Sequence, residues 1–188
     1  EQWGFKRNNK EQWSSYFKRL QSHPAWGTKN IVSWDVNIQG AREINSKVTA
    51  NPEVYYFSFV NSNTVLDSSS GRHIPNNTMS FIIRSNARLM GMKKAYFEDG
   101  TSTDSTWFEN DGIVNKKSMY GPTTGLNGAD PITNYSEDEI LIPGQWYAMN
   151  GLKMDHRRMV GHGAKEKDYK LLMEKYITHL KLIQSLPK

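Results

Sequence analysis

Cysteine does not occur among the 188 residues, so disulfide bonds and thiolate catalysis are both excluded. No apolar run approaches the roughly 20 residues that a membrane-spanning helix needs, and no signal-peptide pattern opens the chain. Basic runs and RNA-binding signatures are missing too. The formal charge of +5 comes from 24 lysines and arginines scattered among 19 acids, which fits a solvated surface rather than a nucleic-acid face. There is no internal repeat and no low-complexity segment. What the chain does have is 37% hydrophobic residues and 12% aromatics, a composition that supports a folded globule rather than disorder.

The opening residues, Glu1-Gln2-Trp3-Gly4-Phe5, read as the middle of a domain. Asn8 and Glu11 have capping-box spacing, and Trp13, Tyr16, Phe17 and Leu20 follow at helical intervals. This predicts a first helix with an aromatic core face, ended near His23-Pro24. Gly40, Ala41, Ile44, Asn45 and Val48 predict a short helix that stops before Asn51-Pro52. Residues 53–60 are rich in β-formers and read as a buried strand, whereas the polar, Gly/Ser-rich residues 61–75 read as a surface loop. Met79, Ile82, Ile83, Ala87 and Met90 share a helix face, with Gly91 placed as its C-cap. Residues 115–144 read as a long excursion and residues 145–152 as a short strand. Tyr169, Leu172, Met173, Tyr176, Leu180 and Ile183 form a helical stripe, with Asp168 positioned as an N-cap. Mixed helices and strands with polar residues at the strand ends point to the α/β class.

Chemistry concentrates in Met154-Asp155-His156-Arg157-Arg158-Met159-Val160-Gly161-His162-Gly163, which holds two of the five histidines just before the last helix. Histidine is the side chain best suited to proton transfer near neutral pH. An acid preceding such a histidine follows the chain order of the α/β-hydrolase triad. Asp155 is a poor orienting acid, because adjacent side chains diverge. Asp111, in the turn Glu109-Asn110-Asp111-Gly112, comes from a separate loop and can reach the imidazole across space; Asp99 and Asp104 rank below it. No G-x-S-x-G elbow and no glycine-rich oxyanion motif occurs, and the serines of Ser68-Ser69-Ser70-Gly71 lie in a polar loop without strand-turn-helix context.

The pattern Asp35…Gly40-Ala41…Ile44-Asn45…Asn51-Pro52…Tyr56 resembles a segment of staphylococcal and related Bacillales lipases. Trp3-Gly4-Phe5-Lys6 resembles the stretch just before it, and Gly71-Arg72-His73-Ile74-Pro75 the loop after it. Asn110-Asp111-Gly112-Ile113-Val114 is similar to the family's N-D-G-x-V, and Asp155-His156 with Gly161 to its W-D-H-x-D-x-x-G. The matches run in order across nearly the whole chain. The resemblance implies that residues 1–188 are the C-terminal part of a single α/β-hydrolase domain. It implies hydrolysis of lipid esters through a Ser-Asp-His triad, with His156 as general base and Asp111 as its orienting acid. The serine would lie upstream of Glu1, on the N-terminal half of the same lipase, so the chain alone is expected to be inactive. The alternative is a non-catalytic lipase-like module that binds lipid or a protein partner.

Three departures from the family pattern stand out. Met154 replaces the aromatic residue before Asp155, and Asn115 replaces the proline after the N-D-G-x-V match. The third concerns calcium. The family places carboxylates two and seven positions after the histidine, where this chain has Arg158 and Gly163. Calcium needs oxygen ligands and a guanidinium repels it, so calcium is expected to be absent. Gly91 matches a backbone-carbonyl ligand of that site. Arg158 is expected to substitute for the ion by pairing with a carboxylate or carbonyl, the group Glu137-Asp138-Glu139 being one candidate. The resemblance also allows zinc, with Asp35 matching one ligand. It implies an extracellular location, with the cytoplasm as the alternative.

Overall fold

The computed structural model describes residues 6–29, 32–123 and 128–187; Trp3-Gly4-Phe5 of the resemblance lies outside them. Along the chain come α1 (Trp13–Gln21), α2 (Val32–Asp35), α3 (Ile38–Asn45), β1 (Tyr56–Val60), β2 (Thr64–Asp67), β3 (Arg72–Pro75) and α4 (Phe81–Met90). They are followed by β4 (Ile132–Asn134), β5 (Trp146–Asn150), α5 (His156–Met159) and α6 (Glu166–Ser185). Three 3-10 turns punctuate them, at Pro24–Gly27, Ser105–Trp107 and Lys116–Tyr120.

β1, β5 and β4 form a parallel sheet in that order, with Tyr56 opposite Trp146 and Ile132 also opposite Trp146. Covered strands favour aromatic and β-branched residues, and half of the residues of β1 and β5 are aromatic, β1 being half-buried along its length. One face of the sheet packs on α6. Phe57 stacks on Tyr147 at 5.6 Å, and the ring of His179 meets Phe57 and Phe59 edge-on at 5.0 and 5.2 Å. On the other face Tyr56 stacks on Trp146 at 4.8 Å, beneath the Lys116–Tyr120 turn. Leu172 of α6, 1% exposed, packs against Met154 and Met159 and so fastens the last helix to the segment around His156.

The mixed helix and strand content agrees with the α/β expectation, and several elements differ in detail. The capping-box pair forms, with the Asn8 N–H donating to the Glu11 carboxylate at 3.2 Å, but it closes a turn ahead of α1, whose N-cap is Gln12. The aromatic face of α1 is not a core face: Trp13 is 60% and Phe17 53% exposed, and their rings stack on each other. Residues 61–75, expected as a loop, include the antiparallel hairpin β2–β3. The Asp67 carboxylate takes hydrogen bonds from the Ser69 N–H and the Ser69 and Ser70 hydroxyls, and Gly71 supplies the left-handed residue (φ 67°). The polar residues are the turn chemistry of a hairpin whose strands are only four residues long. β4 lies inside the expected excursion and is too short to show in residue periodicity. Lys165, not Asp168, is the N-cap of α6, and Asp168 sits in its first turn. Gly91 does cap α4, with φ −73° rather than a left-handed angle. Glycine is needed because a Cβ would lie 1.9 Å from the His73 carbonyl oxygen.

His179 gives the fold a pH dependence. Burial between the two phenylalanine rings pushes its pKa below the ordinary 6.5, the nearby Lys175 adds to the shift, and its Nδ1 has no hydrogen-bond partner. With the folded pKa depressed, the unfolded chain binds the proton first as pH falls through 6.5. The stability present above that pH is therefore lost on acidification. Melting curves at pH 7.5 and 5.5 should show a fall in Tm that is smaller in His179→Phe than in the parent; an equal fall in both would remove His179 as the cause.

Candidate active site

The site lies at the carboxyl ends of β1 and β5, the usual place for function in parallel α/β sheets. Asn61, directly after β1 and 7% exposed, holds the two ends together. Its Oδ1 accepts from the Leu152 N–H at 3.0 Å, and the Gly151 N–H donates to the Val60 carbonyl at 3.1 Å. A Cβ on Gly151 would lie 2.0 Å from that same Oδ1, so only glycine permits the approach.

From this junction one path leads to His156 and another to Asp111. The Asn63 N–H donates to the Asn110 carbonyl at 3.1 Å, and the Thr64 hydroxyl lies 3.1 Å from the Asn110 nitrogen and 3.2 Å from its oxygen. The Asn110 side chain, fully buried, donates to the carbonyls of Ala87 and Phe108 and accepts from the Gly112 N–H. The turn is thus pinned to α4 and to β2. Gly112 has φ 99°, and a Cβ there would come within 2.6 Å of Ile83. His73, whose Nδ1 lies 3.3 Å from the Thr64 hydroxyl, has its pKa lowered by burial against an opposing pull from Glu109.

Asp111 is 1% exposed, and its carboxylate is satisfied on both oxygens. Oδ1 accepts from the backbone N–H groups of Ile113 at 3.0 Å and Val114 at 2.8 Å; Oδ2 lies 3.0 Å from His156 Nδ1. The His156 N–H also donates to the Asp111 carbonyl at 3.0 Å. With a carboxylate as its acceptor, this contact is the hydrogen bond of an imidazole protonated at Nδ1, a tautomer that leaves the Nε2 lone pair free. The His156 side chain is 42% exposed, and no described hydroxyl hydrogen-bonds to its ring. A buried acid thus orients a half-open imidazole.

Asp155, fully buried, points elsewhere. It is the N-cap of α5, accepting from the Arg158 N–H at 3.2 Å, and its Oδ2 accepts from the Ser80 N–H at the start of α4 at 2.8 Å. Arg158, with a side chain 16% exposed, lies between two carboxylates: Nε is 3.6 Å from Asp155 Oδ2 and Nη1 is 3.8 Å from Asp168 Oδ2. Its partners are these two rather than Glu137-Asp138-Glu139, which are exposed. Gly163 has φ 73° with nothing near its Cβ position, so its glycine serves the turn. Asp99 pairs with Arg42 at 3.0 Å and Asp104 caps the Ser105–Trp107 turn, so neither approaches His156. Asp35 is exposed at the end of α2, and among the described residues no group of three or more His, Asp or Glu side chains could hold a metal ion. Asn61, Thr64 and Ser80 were not singled out by sequence. Asn110 was singled out only as part of the N-D-G-x-V match, without the bracketing role that its side chain has here.

A parallel α/β sheet with an aspartate–histidine pair at its carboxyl ends defines the class. Residues 1–171 match the family model described as lipase-like, C-terminal domain, and the chain belongs to that family. It is 28% identical over 163 residues to a lipase of Staphylococcus hyicus, a match covering 86% of this chain and 23% of that protein. Among solved structures, EstA from Clostridium botulinum superposes with a TM-score of 0.73 at 34% identity, covering 93% of this chain and 41% of that one. Lipase 1 from Pelosinus fermentans gives 0.65 at 30% identity, over 93% and 46%. The chain therefore spans less than half the length of each of these relatives.

Removing Asp155 leaves two N–H donors without their acceptor and the Arg158 guanidinium with Asp168 alone. Asp155→Ala should lower unfolding stability by about 2–3 kcal/mol, whereas Asp99→Ala at the surface should stay within about 0.5 kcal/mol. Urea denaturation compares them, and equal losses would show that Asp155 does not staple α5 to α4.

Proposed function

We propose that the chain carries the acid and base of a serine-type carboxylic ester hydrolase acting on lipid esters. Its nucleophile lies on the N-terminal half of the same lipase. The observation that carries this reading is the 3.0 Å contact between His156 Nδ1 and the buried Asp111 carboxylate. His156 Nε2 takes the serine proton as the hydroxyl attacks the ester carbonyl, and Asp111 stabilises the imidazolium that forms. The imidazolium then protonates the departing alkoxide, leaving an acyl-enzyme. Water, deprotonated by the same Nε2, releases the acid and restores the serine. A non-catalytic binding module would have no use for an acid so fully desolvated and so fully hydrogen-bonded to orient one ring. The lipase resemblance also favours an extracellular enzyme.

In the complete enzyme, His156→Ala should lower kcat by about 10⁴-fold or more, and Asp111→Asn by a comparable factor with the fold kept. Asp99→Asn should leave kcat within about twofold. Steady-state kinetics on a p-nitrophenyl ester measure this; a mild Asp111→Asn beside a damaging Asp99→Asn would reassign the acid.

We further propose that the enzyme is indifferent to calcium. The guanidinium of Arg158 already stands between Asp155 and Asp168, where it meets the two carboxylates with a fixed charge that a dication cannot share. Zinc through Asp35 would need its remaining ligands from outside the described residues, and no step of the mechanism uses it. Millimolar calcium or EDTA should leave Tm unchanged while Arg158→Ala lowers it by several degrees. A rise in Tm with calcium and none with magnesium would show that other oxygens bind the ion.

A further inference from the structure

Beside the Asp155 staple lies a cleft of about 550 Å³ between the start of α4 and the start of α6, lined by neither Asp111 nor His156. Lys153, Lys165 and Lys167 line it together with Arg158, against a single lining acid, Asp168. Asp168 faces Arg158 at 3.8 Å, and the neighbouring Glu166 pairs with Lys170 at 3.0 Å. Among the described residues no carboxylate pairs with Lys153, Lys165 or Lys167. Three lysines without a carboxylate partner lining one concavity raise the local potential and favour an anion. The rim is apolar as well: Phe81 is 81% and Leu171 48% exposed, and both border the cleft. Cationic donors around a hollow with exposed apolar side chains at its lip match an anion carried on an apolar body.

We propose that this cleft binds the phosphate group of an anionic lipid, with Phe81 and Leu171 resting on the lipid surface. The lysines supply three charge-assisted donors to the phosphate oxygens. The site is distinct from the Asp111–His156 pair and does not require hydrolysis, so it stands or falls independently of the proposed activity.

Co-sedimentation of the chain with phosphatidylglycerol vesicles, against phosphatidylcholine vesicles, tests it. Binding is expected to phosphatidylglycerol alone. Lys153→Gln/Lys165→Gln/Lys167→Gln should weaken it by about 100-fold, the loss expected for three lysines at a charged lipid surface. A control with the same change in net charge, Lys10→Gln/Lys93→Gln/Lys94→Gln, should bind like the parent. Equal weakening in both variants would mean that overall charge, not the cleft, drives binding, and would overturn the proposal, as would no binding to phosphatidylglycerol. Inorganic phosphate should compete with the vesicles. If it raises Tm in the parent and not in the cleft variant while vesicles fail to bind, the ligand is free phosphate and the lipid assignment is wrong.

Discussion

A carboxylate removed from water must have its oxygens satisfied, and Asp111 meets that condition within its own turn. Two backbone N–H groups and one imidazole surround an acid that is 1% exposed. An unpaired buried charge would cost several kcal/mol, so the turn cannot open without releasing the histidine. Most of the surrounding structure can be traced back to this requirement. The turn needs Gly112 at φ 99° and Asn110 as a buried bracket. Asn110 in turn needs the carbonyl of Ala87 on α4 and the hydroxyl of Thr64 on β2. The hairpin and α4 are thus the frame that holds one side chain.

The three acids around α5 divide the work according to their surroundings. Asp111 faces the ring of His156, Asp155 faces backbone donors at two helix starts, and Asp168 faces Arg158. Asp155 and His156 are adjacent in sequence yet serve opposite sides of the segment, because an N-cap turns its side chain back onto the helix while the next residue projects outward. Met154, Met159 and Leu172 fill the space behind them, so the last helix presses on the segment that carries His156. Packing from α6 and hydrogen bonds from α4 therefore fix His156 from two directions.

The pairing of Asp111 with His156 was legible because it rests on residue type and chain order: a carboxylate in an Asp-Gly turn and a histidine in a Gly-punctuated loop. The helices over residues 81–90 and 166–185 were legible from periodicity, and the strands at 56–60 and 146–150 from their β-formers. The hairpin was not, because four-residue strands leave too little alternation and their turn residues dominate the composition. Asn61 was invisible for a different reason. Its Oδ1 acts on Leu152, 91 positions away, and nothing local distinguishes it from any asparagine at a strand end. The aromatic stripe of α1 misled, since helical spacing reports a face and not what covers it.

On the proposed reading, Arg158 does with a side chain the work that a bound ion would do. A bound dication stabilises a loop in proportion to the logarithm of its free concentration, and it leaves when that concentration falls. A guanidinium cannot leave. Held 3.6 and 3.8 Å from two carboxylates on the segments before α5 and at the start of α6, it links the two segments through one covalently anchored group. The exchange has a geometric cost, because a planar fork reaches fewer oxygens than a sphere that takes six to eight. The pairs here are long, and the Asp155 oxygen nearest Arg158 is already bonded to the Ser80 N–H. The guanidinium therefore contributes mainly by neutralising charge beside a buried carboxylate, while backbone donors set the geometry. On the proposed reading, that division lets the segment hold His156 in place with an arginine and a glycine at positions 158 and 163.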